Sequence, residues 1–324
     1  MTSRPQQLLV LGSPHGWHAD QLRQAAQRLG HAIEAAPWET VSGTLAVPGD
    51  ECGLHAGAQP IALQEQTSAT AKAVRLTDYD AVLTRTMPVG SLEQVTFRLA
   101  ALHALADGLA ERCPAIVNPP RALEWAIDKF ATQARLTAAG CPTPATHVVQ
   151  SRSEAMRAFD QLGGDCVVKP IFGGEGRGVM RVTDRQLAWT CFSTLEQLNK
   201  IMLVQAFVPP GGSDLRLLVI GEHVLGVRRH NPNDFRSNAA AGAISQAVQV
   251  DTAMRALALR VTRCFKLTFA AVDLIDQPSG PPFVLEVNSI PGWKATQAVF
   301  QHSIADWIIE TLVEAKRTEN HEQT

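Results

Sequence analysis

Short, almost wholly apolar runs alternate along this chain with longer stretches in which apolar residues recur every three or four positions. That alternation predicts an α/β protein built from several lobes. Residues 7–12 (QLLVLG) carry the pattern of a buried strand that ends in a Gly/Ser/Pro turn, and residues 19–29 follow with helical spacing up to Gly30. Residues 80–84 (DAVLT) predict the next strand and residues 91–109 a long amphipathic helix. Between them, residues 42–66 are rich in Gly, Pro and Ala with weak periodicity and are expected to be mostly irregular. Ile116 and Val117 run into Asn118-Pro119-Pro120, which marks the expected end of a first α/β lobe, residues 1–117.

Residues 121–139 have helical spacing and stop at Gly140-Cys141-Pro142. A helix over 153–162, a strand over 166–169, a glycine-rich loop over 173–178 and a strand over 179–182 come next. Asp184 is placed to cap a helix reaching about residue 199, and residues 202–208 predict another strand. This unit is expected to form a second lobe, residues 118–205. Beyond it lie strands at 215–220 and 223–228, a helix near 252–265 and a strand pair at 270–276 and 283–288. These define a third lobe over 206–316, followed by a polar tail, residues 317–324, expected to be disordered.

Composition narrows the function. Lys+Arg minus Asp+Glu is 29 − 31 = −2 over 324 residues, so no bulk charge calls for nucleic acid or an anionic membrane, and local basic clusters read as sites. The six cysteines are scattered without a CxxC pair, which argues against structural zinc or a disulfide framework and for small buried hydrophobes in a reducing cytoplasm. No apolar run suits a secretory signal or a membrane span.

The segment 269–292 (FAAVDLIDQPSGPPFVLEVNSIPG) has two apolar runs flanking a turn, a hairpin signal. Residues two apart in a strand share a face, so Glu286 and Asn288 are expected to point together and Leu285 and Val287 oppositely; a turn centred on Ser279-Gly280 sets Asp273 opposite Glu286. Two carboxylates facing each other in an apolar hairpin repel, and a shared divalent cation removes the conflict. Oxygen ligands of this kind suit Mg²⁺. A solvent-exposed hairpin face would tolerate the same acids, but the neighbours are too apolar for that.

In residues 167–179 (VVKPIFGGEGRGV), Lys169 ends a strand and four glycines follow at Gly173, Gly174, Gly176 and Gly178. Glycine lets backbone N–H groups turn toward an anion, as a phosphate-covering loop needs, although neither a Walker A nor a dinucleotide-binding context is present. A cationic cluster follows in Asp214-Leu215-Arg216, Arg228-Arg229 and Asp234-Phe235-Arg236-Ser237-Asn238. Planar guanidinium forks grip carboxylates and phosphates, and the alternative for Arg228 is a solvated surface ion pair.

From about residue 118 to 295 these segments, in this order, resemble the ATP-grasp superfamily and specifically its RimK-like glutamate ligases. The resemblance implies an ATP-grasp fold with an N-terminal α/β domain, a small lid lobe and a C-terminal antiparallel-sheet lobe. It implies that Lys129 and Lys169 bind the ATP phosphates, with Gly174, Glu175, Gly176, Arg177 and Gly178 closing over them. Gln205, Ala206, Phe207 and Val208 would hold adenine at a hinge, with Asp214 near the ribose. Asp273, Glu286 and Asn288 would carry two Mg²⁺ ions, Mn²⁺ being an alternative. Arg216, Arg229, Arg236 and Asn238 would stabilise the transferring phosphate or grip substrate carboxylates, and Arg85 is a candidate substrate contact in the first lobe.

Two departures stand out: Ala206 replaces the usual acidic residue after the hinge glutamine, and Ala241-Gly242-Ala243 is bulkier than a double glycine. The implied reaction is ADP-forming ligation of L-glutamate or a similar amino acid to a carboxylate acceptor through an acyl-phosphate. The stretch TRTMPVGSLEQVTFRLAAL and the ending PGWK resemble relatives acting on one-carbon coenzymes of the tetrahydromethanopterin or methylofuran type. A peptide or ribosomal-protein ligase, or a kinase of the same fold, is the alternative. Such ligases are often homodimers or homotetramers.

Overall fold

The computed structural model describes residues 4–45, 53–60, 72–108, 113–174, 176–238 and 242–322. The first sheet is built from β1 (Gln7–Leu11), α1 (Trp17–Leu29), β2 (Ala32–Ala36), β3 (Ser42–Thr44), β4 (Gly53–Pro60), β5 (Lys72–Arg75), β6 (Ala81–Thr84), α2 (Leu92–Ala106) and β7 (Ala115–Val117). Its order is β3-β4-β2-β1-β6-β7, with β5 joined to β4. β2, β1, β6 and β7 run parallel. A parallel sheet is covered on both faces, and β1 shows why its residues are apolar without alternation. Leu8 and Val10 pack into one cluster with α1, while Leu9 and Leu11 pack into another with Leu102 and Leu105 of α2.

The stretch expected to be irregular carries β3 and β4. In β4 the buried apolar side chains are Leu54, Ala56 and Ala58, a period-two pattern in groups so small that it barely registers as hydrophobic. Residues 46–52 and 61–66 of that stretch lie outside the described residues.

The second unit begins with α3 (Pro120–Ile127) and α4 (Lys129–Ala138), where one helix was expected. Asp128 separates them: its backbone is extended and its carboxylate accepts hydrogen bonds from the N–H groups of Phe130 and Ala131, capping α4. Then follow β8 (Thr146–Val149), α5 (Arg152–Gln161), β9 (Cys166–Lys169), β10 (Met180–Val182), α6 (Arg185–Gln197) and β11 (Met202–Ala206). The sheet order is β10-β9-β11-β8, all antiparallel, with α5 and α6 covering one face around Phe159 and Phe192.

The third sheet comprises β12 (Ser213–Ile220), β13 (His223–His230), β14 (Ile244–Val248), β15 (Phe269–Ile275) and β16 (Phe283–Asn288), with α7 (Thr252–Cys264) between β14 and β15, and α8 (Lys294–Gln297) and α9 (Ile304–Glu322) after β16. The antiparallel order is β14-β13-β12-β15-β16. One face packs on α7, α3 and α4 through Val261, Phe265, Ala122 and Leu136. The other contributes Leu218, Ile220, Phe269 and Ala271 to the cluster that α9 shares with β1 and α1, so one core runs across the first and third sheets. The buried Asn118 fastens the joint: its amide donates to the carbonyls of Phe269 (2.6 Å) and Ser289 (2.7 Å) and accepts from the N–H groups of Thr268 and Phe269.

Asp273 lies opposite Glu286, as expected. The register then slips, so that Leu274 pairs with Val284 and Leu285 is an extra residue. Val284 and Val287 therefore both enter the core and Leu285 does not, which corrects the strict alternation read from the sequence. α9 runs to Glu322 and takes in most of the polar stretch read as a tail; Lys, Arg and Glu are good helix formers. Among the described residues no helix is long and apolar enough to cross a membrane.

Candidate active site

Lys169 ends β9, and its Nζ donates to Gln205 Oε1 at 2.7 Å, while Gln205 Nε2 donates to Thr146 Oγ1 at 2.9 Å. The Gln205 side chain thus holds a lysine, and the hinge expectation rests on the backbone groups of this segment. Burial pushes the Lys169 ammonium down to about 8, with Glu286 pulling it back up and Lys129 adding to the fall. Lys129, the first residue of α4, is likewise lowered by burial against the opposing pull of Glu286 and Asp128. Its Nζ donates to the Gly173 carbonyl at 2.6 Å and its backbone N–H to that of Ile171 at 3.2 Å, tying α4 to the glycine-rich loop.

In that loop Gly173, Gly176 and Gly178 have φ of 122°, 72° and 71°, which other residues rarely adopt. Gly174 and Arg177 are exposed, and Glu175 lies outside the described residues. The loop leans on the third sheet: Arg236 donates to the Gly176 carbonyl at 3.3 Å, and a Cβ on Gly176 would stand 3.0 Å from the Asn238 amide. Gly176→Ala is therefore expected to unseat the loop and lower turnover roughly tenfold to a hundredfold, with melting shifted by only a few degrees. Steady-state kinetics beside a melting curve checks this.

The charged face of the third sheet is set by strand register. Arg216 on β12 lies opposite Asp273 on β15 and grips it with two hydrogen bonds of 2.7 Å each. Arg229 on β13 lies opposite Asp214, donates to its Oδ1 at 2.7 Å and to its Oδ2, and comes within 3.1 Å of Asp273 Oδ2. Burial alone would raise the Asp273 carboxyl, but the guanidiniums of Arg216 and Arg229 overcome it and hold the group at about 2. Burial likewise works against the charge on Arg229, and the charges of Asp273 and Asp214 outweigh it, so its pKa is raised.

Asp214, expected near a ribose, is only 3% exposed, and its oxygens are taken by Arg229 and by Ser237 Oγ at 2.6 Å. It orients the arginine. Arg228 falls on the opposite face and pairs with the exposed Asp276, outside the site. Arg236 is held by Asp234 at 2.6 Å. At the hinge the N–H groups of Ala206 and Phe207 bond to the carbonyls of Ala145 and Asp165, the Phe207 ring carries the Arg181 guanidinium 3.5 Å above it, and Val208 is buried.

Glu286 is the exception to this pairing. Among the described residues it accepts no hydrogen bond and meets no cation within 4.0 Å, although its charge is felt by Lys129 and Lys169. The oxygens fit a hard cation. Asp273 Oδ2 takes Arg216, Arg229 and Asn288 Nδ2 (3.3 Å), whereas Oδ1 takes only Arg216 and keeps a lone pair. The Asn288 amide spends its nitrogen on Asp273, leaving its oxygen available as a metal ligand, two residues along β16 from Glu286. Among the described residues no three His, Cys, Asp or Glu side chains form a cage, and Mg²⁺ needs none, since it keeps water and phosphate oxygens. Sequence reasoning missed Thr146, the anchor of the Gln205–Lys169 chain, because nothing local distinguishes it from any strand threonine.

Residues 126–312 match the RimK-like ATP-grasp domain, more than half of the chain. The chain is 30% identical over 304 residues to a probable alpha-L-glutamate ligase of Sodalis glossinidius, across 91% of this chain and 92% of that relative. It is 28% identical over 268 residues to the tetrahydromethanopterin:alpha-L-glutamate ligase of Methanosarcina acetivorans, across 74% and 81%. The solved structure of the ATP-grasp ligase PsnB complexed with minimal precursor, Mg and ADP shares the fold, with a TM-score of 0.69 over 95% of this chain and 97% of that one at 20% identity. Lysines under a glycine-rich loop and an acidic hairpin in ATP-grasp order agree with these likenesses, and the chain belongs to the RimK-like ATP-grasp family of ligases.

Proposed function

We propose that the chain joins the amine of L-glutamate to a carboxylate on a small acceptor of the pterin or furan one-carbon coenzyme kind, consuming ATP and releasing ADP and phosphate. The observation that carries this reading is the free Glu286 carboxylate, whose field reaches the buried Lys169 and the loop-bound Lys129. Glu286, Asn288 and Asp273 would hold a divalent cation there, which would supply positive charge for the nucleotide phosphates. The relative from Methanosarcina acetivorans supports the acceptor class.

In this reading the acceptor carboxylate attacks the γ-phosphorus and the bond to the β-phosphate oxygen breaks, giving an acyl-phosphate and ADP. The amine then bonds to the acyl carbon, phosphate leaves and the nitrogen sheds a proton. Lys129 and Lys169 hold phosphate oxygens, and Gly174, Glu175, Gly176, Arg177 and Gly178 cover them and exclude water. Two Mg²⁺ ions bound by Asp273, Glu286 and Asn288 would neutralise charge gathering on the transferred phosphoryl group. Arg216 and Arg236 face that charge with their remaining N–H donors, Arg229 fixes Asp273, and Asn238 keeps the loop seated. Adenine is held by the backbone of Gln205, Ala206, Phe207 and Val208; with the Ala206 and Phe207 N–H groups already bonded, the Val208 N–H is the donor assigned to the base.

Incubation with ATP, Mg²⁺, L-glutamate and candidate acceptors, read by mass spectrometry, tests the proposal. A glutamyl increment on a small coenzyme bears it out. An increment on a protein or peptide moves the acceptor class. Phosphorylated product with no hydroxylamine-trappable intermediate identifies a kinase instead.

A further inference from the structure

In the parallel part of the first sheet the chain leaves β1 through α1 toward β2 on one side, and leaves β6 through α2 toward β7 on the other. Diverging connections open a crevice at the carboxyl ends of the two strands, where open α/β sheets bind ligands. Here the crevice is a cavity of about 400 Å³ lined by Ser13, Trp17, His18, Trp38, Arg85 and Thr86 among others. The size suits a small molecule.

Arg85, the residue after β6, is 7% exposed, and no carboxylate among the described residues pairs with it. It makes one side-chain hydrogen bond, to the Pro291 carbonyl at 2.8 Å, and its guanidinium lies 4.6 Å from the Trp293 ring centroid. A guanidinium has five N–H donors, so a buried one with a single accepting partner is ready for an anion. Burial lowers its pKa to about 10, which still leaves it charged at neutral pH. Glu39, the carboxylate of the cavity lining, is exposed and lies beyond ion-pair reach of Arg85.

Other donors converge on the same space. His18 Nε2 accepts the backbone N–H of Trp293 at 3.3 Å, and burial, Arg85 and Lys294 hold the ring's pKa down at about 4. The neutral ring therefore carries its proton on Nδ1. Helix α1 starts at Gly16 with no side-chain cap, so its first N–H groups are unclaimed by the chain's side chains. Gly12 is required for the approach, since a Cβ there would stand 2.9 Å from that of Arg85. The remaining walls, from Trp17, Trp38, Pro14, Pro37 and Pro88, are apolar or aromatic.

We propose that this cavity seats a carboxylate of the non-nucleotide substrate, gripped by Arg85 and His18 while the aromatic walls take the rest of the molecule. The inference rests on the ligase reading above and names a substrate subsite for it. Pro291, which anchors Arg85, follows Asn288 by three residues on one continuous backbone, so the subsite borders the acidic hairpin. The carboxylate could belong to the incoming amino acid or to the acceptor.

Titration calorimetry on protein loaded with Mg²⁺ and a non-hydrolysable ATP analogue, using L-glutamate and separately benzoyl-L-glutamate, tests this. Saturable binding of at least one is expected, weakened about tenfold or more by Arg85→Met and by Thr86→Trp with nucleotide affinity unchanged. Thr86 is exposed at the cavity, so its tryptophan variant blocks the space without touching the core and decides alone if Arg85→Met does not fold. Whichever compound loses affinity identifies the source of the carboxylate. Failure of both compounds to bind the wild type at millimolar concentration, or unaltered binding in Thr86→Trp, overturns the proposal. Arg85-dependent binding in a protein that never forms ADP would uphold the subsite and sink the ligase reading; ADP formation with no such dependence would do the reverse.

Discussion

Lys169→Met should lower kcat/KM for ATP by about 10² to 10³, the range seen when one preorganised charge is removed from a developing anion. The side chain is close in length, so the loss reports charge and not shape. The same substitution should stabilise the protein at neutral pH. The Lys169 ammonium has a folded pKa of about 8, below its ordinary 10.5, so between those values the unfolded chain binds a proton that the folded one does not. Stability therefore rises with pH through that window, and methionine abolishes the slope. Nucleotide affinity of the free wild-type enzyme should move oppositely, weakening as pH climbs past about 8 and Lys169 discharges. Melting curves and nucleotide titrations across pH 7 to 10 in both proteins check the two slopes. An unchanged affinity and rate in the methionine variant would remove Lys169 from the site.

Glu286→Gln is the second large effect. The change is isosteric and leaves no buried cation abandoned, because Glu286 meets no cation within ion-pair distance among the described residues. ADP formation should fall by about 10³ or more, and the Mg²⁺ concentration needed for half-maximal rate should rise. Lys169 and Lys129, deprived of that carboxylate's pull, should lose their protons at lower pH than in the wild type. Asp273→Ala would confuse the question. It strips Arg216 and Arg229 of a shared counter-ion, and an uncompensated buried charge costs about 3–5 kcal/mol. Full activity in Glu286→Gln would end the metal assignment.

What could be read from the chain depended on how local the deciding physics was. The hairpin carrying Asp273 and Glu286 was legible because two apolar runs and the Pro/Ser/Gly turn between them fix a strand pair from within a couple of dozen residues. The slip at Leu285 was not, since an extra residue in a strand leaves no mark on composition. Asp128 was a cap hidden in a continuous helical pattern, and the break it makes puts Lys129 at a helix start. The side-chain role of Gln205 was not legible, because its partner Lys169 stands 36 positions away and only strand pairing brings them together. The partner of Asp214 was hidden for the same reason: Arg229 faces it across the β12–β13 register and takes its oxygens.

The shared core has a consequence for how the molecule can be made. Ile304, Ile308, Ile309 and Leu312 close over Leu8, Val10 and Leu83, and Arg28 reaches Ser303 across 275 positions. During synthesis the opening strands must wait with one flank bare until that distant helix has left the ribosome. An isolated fragment of residues 4–117 would present this bare flank to water, and such a contiguous apolar patch favours self-association. The opening lobe is therefore expected to precipitate when expressed alone and to be rescued by a separately supplied peptide covering residues 304–322.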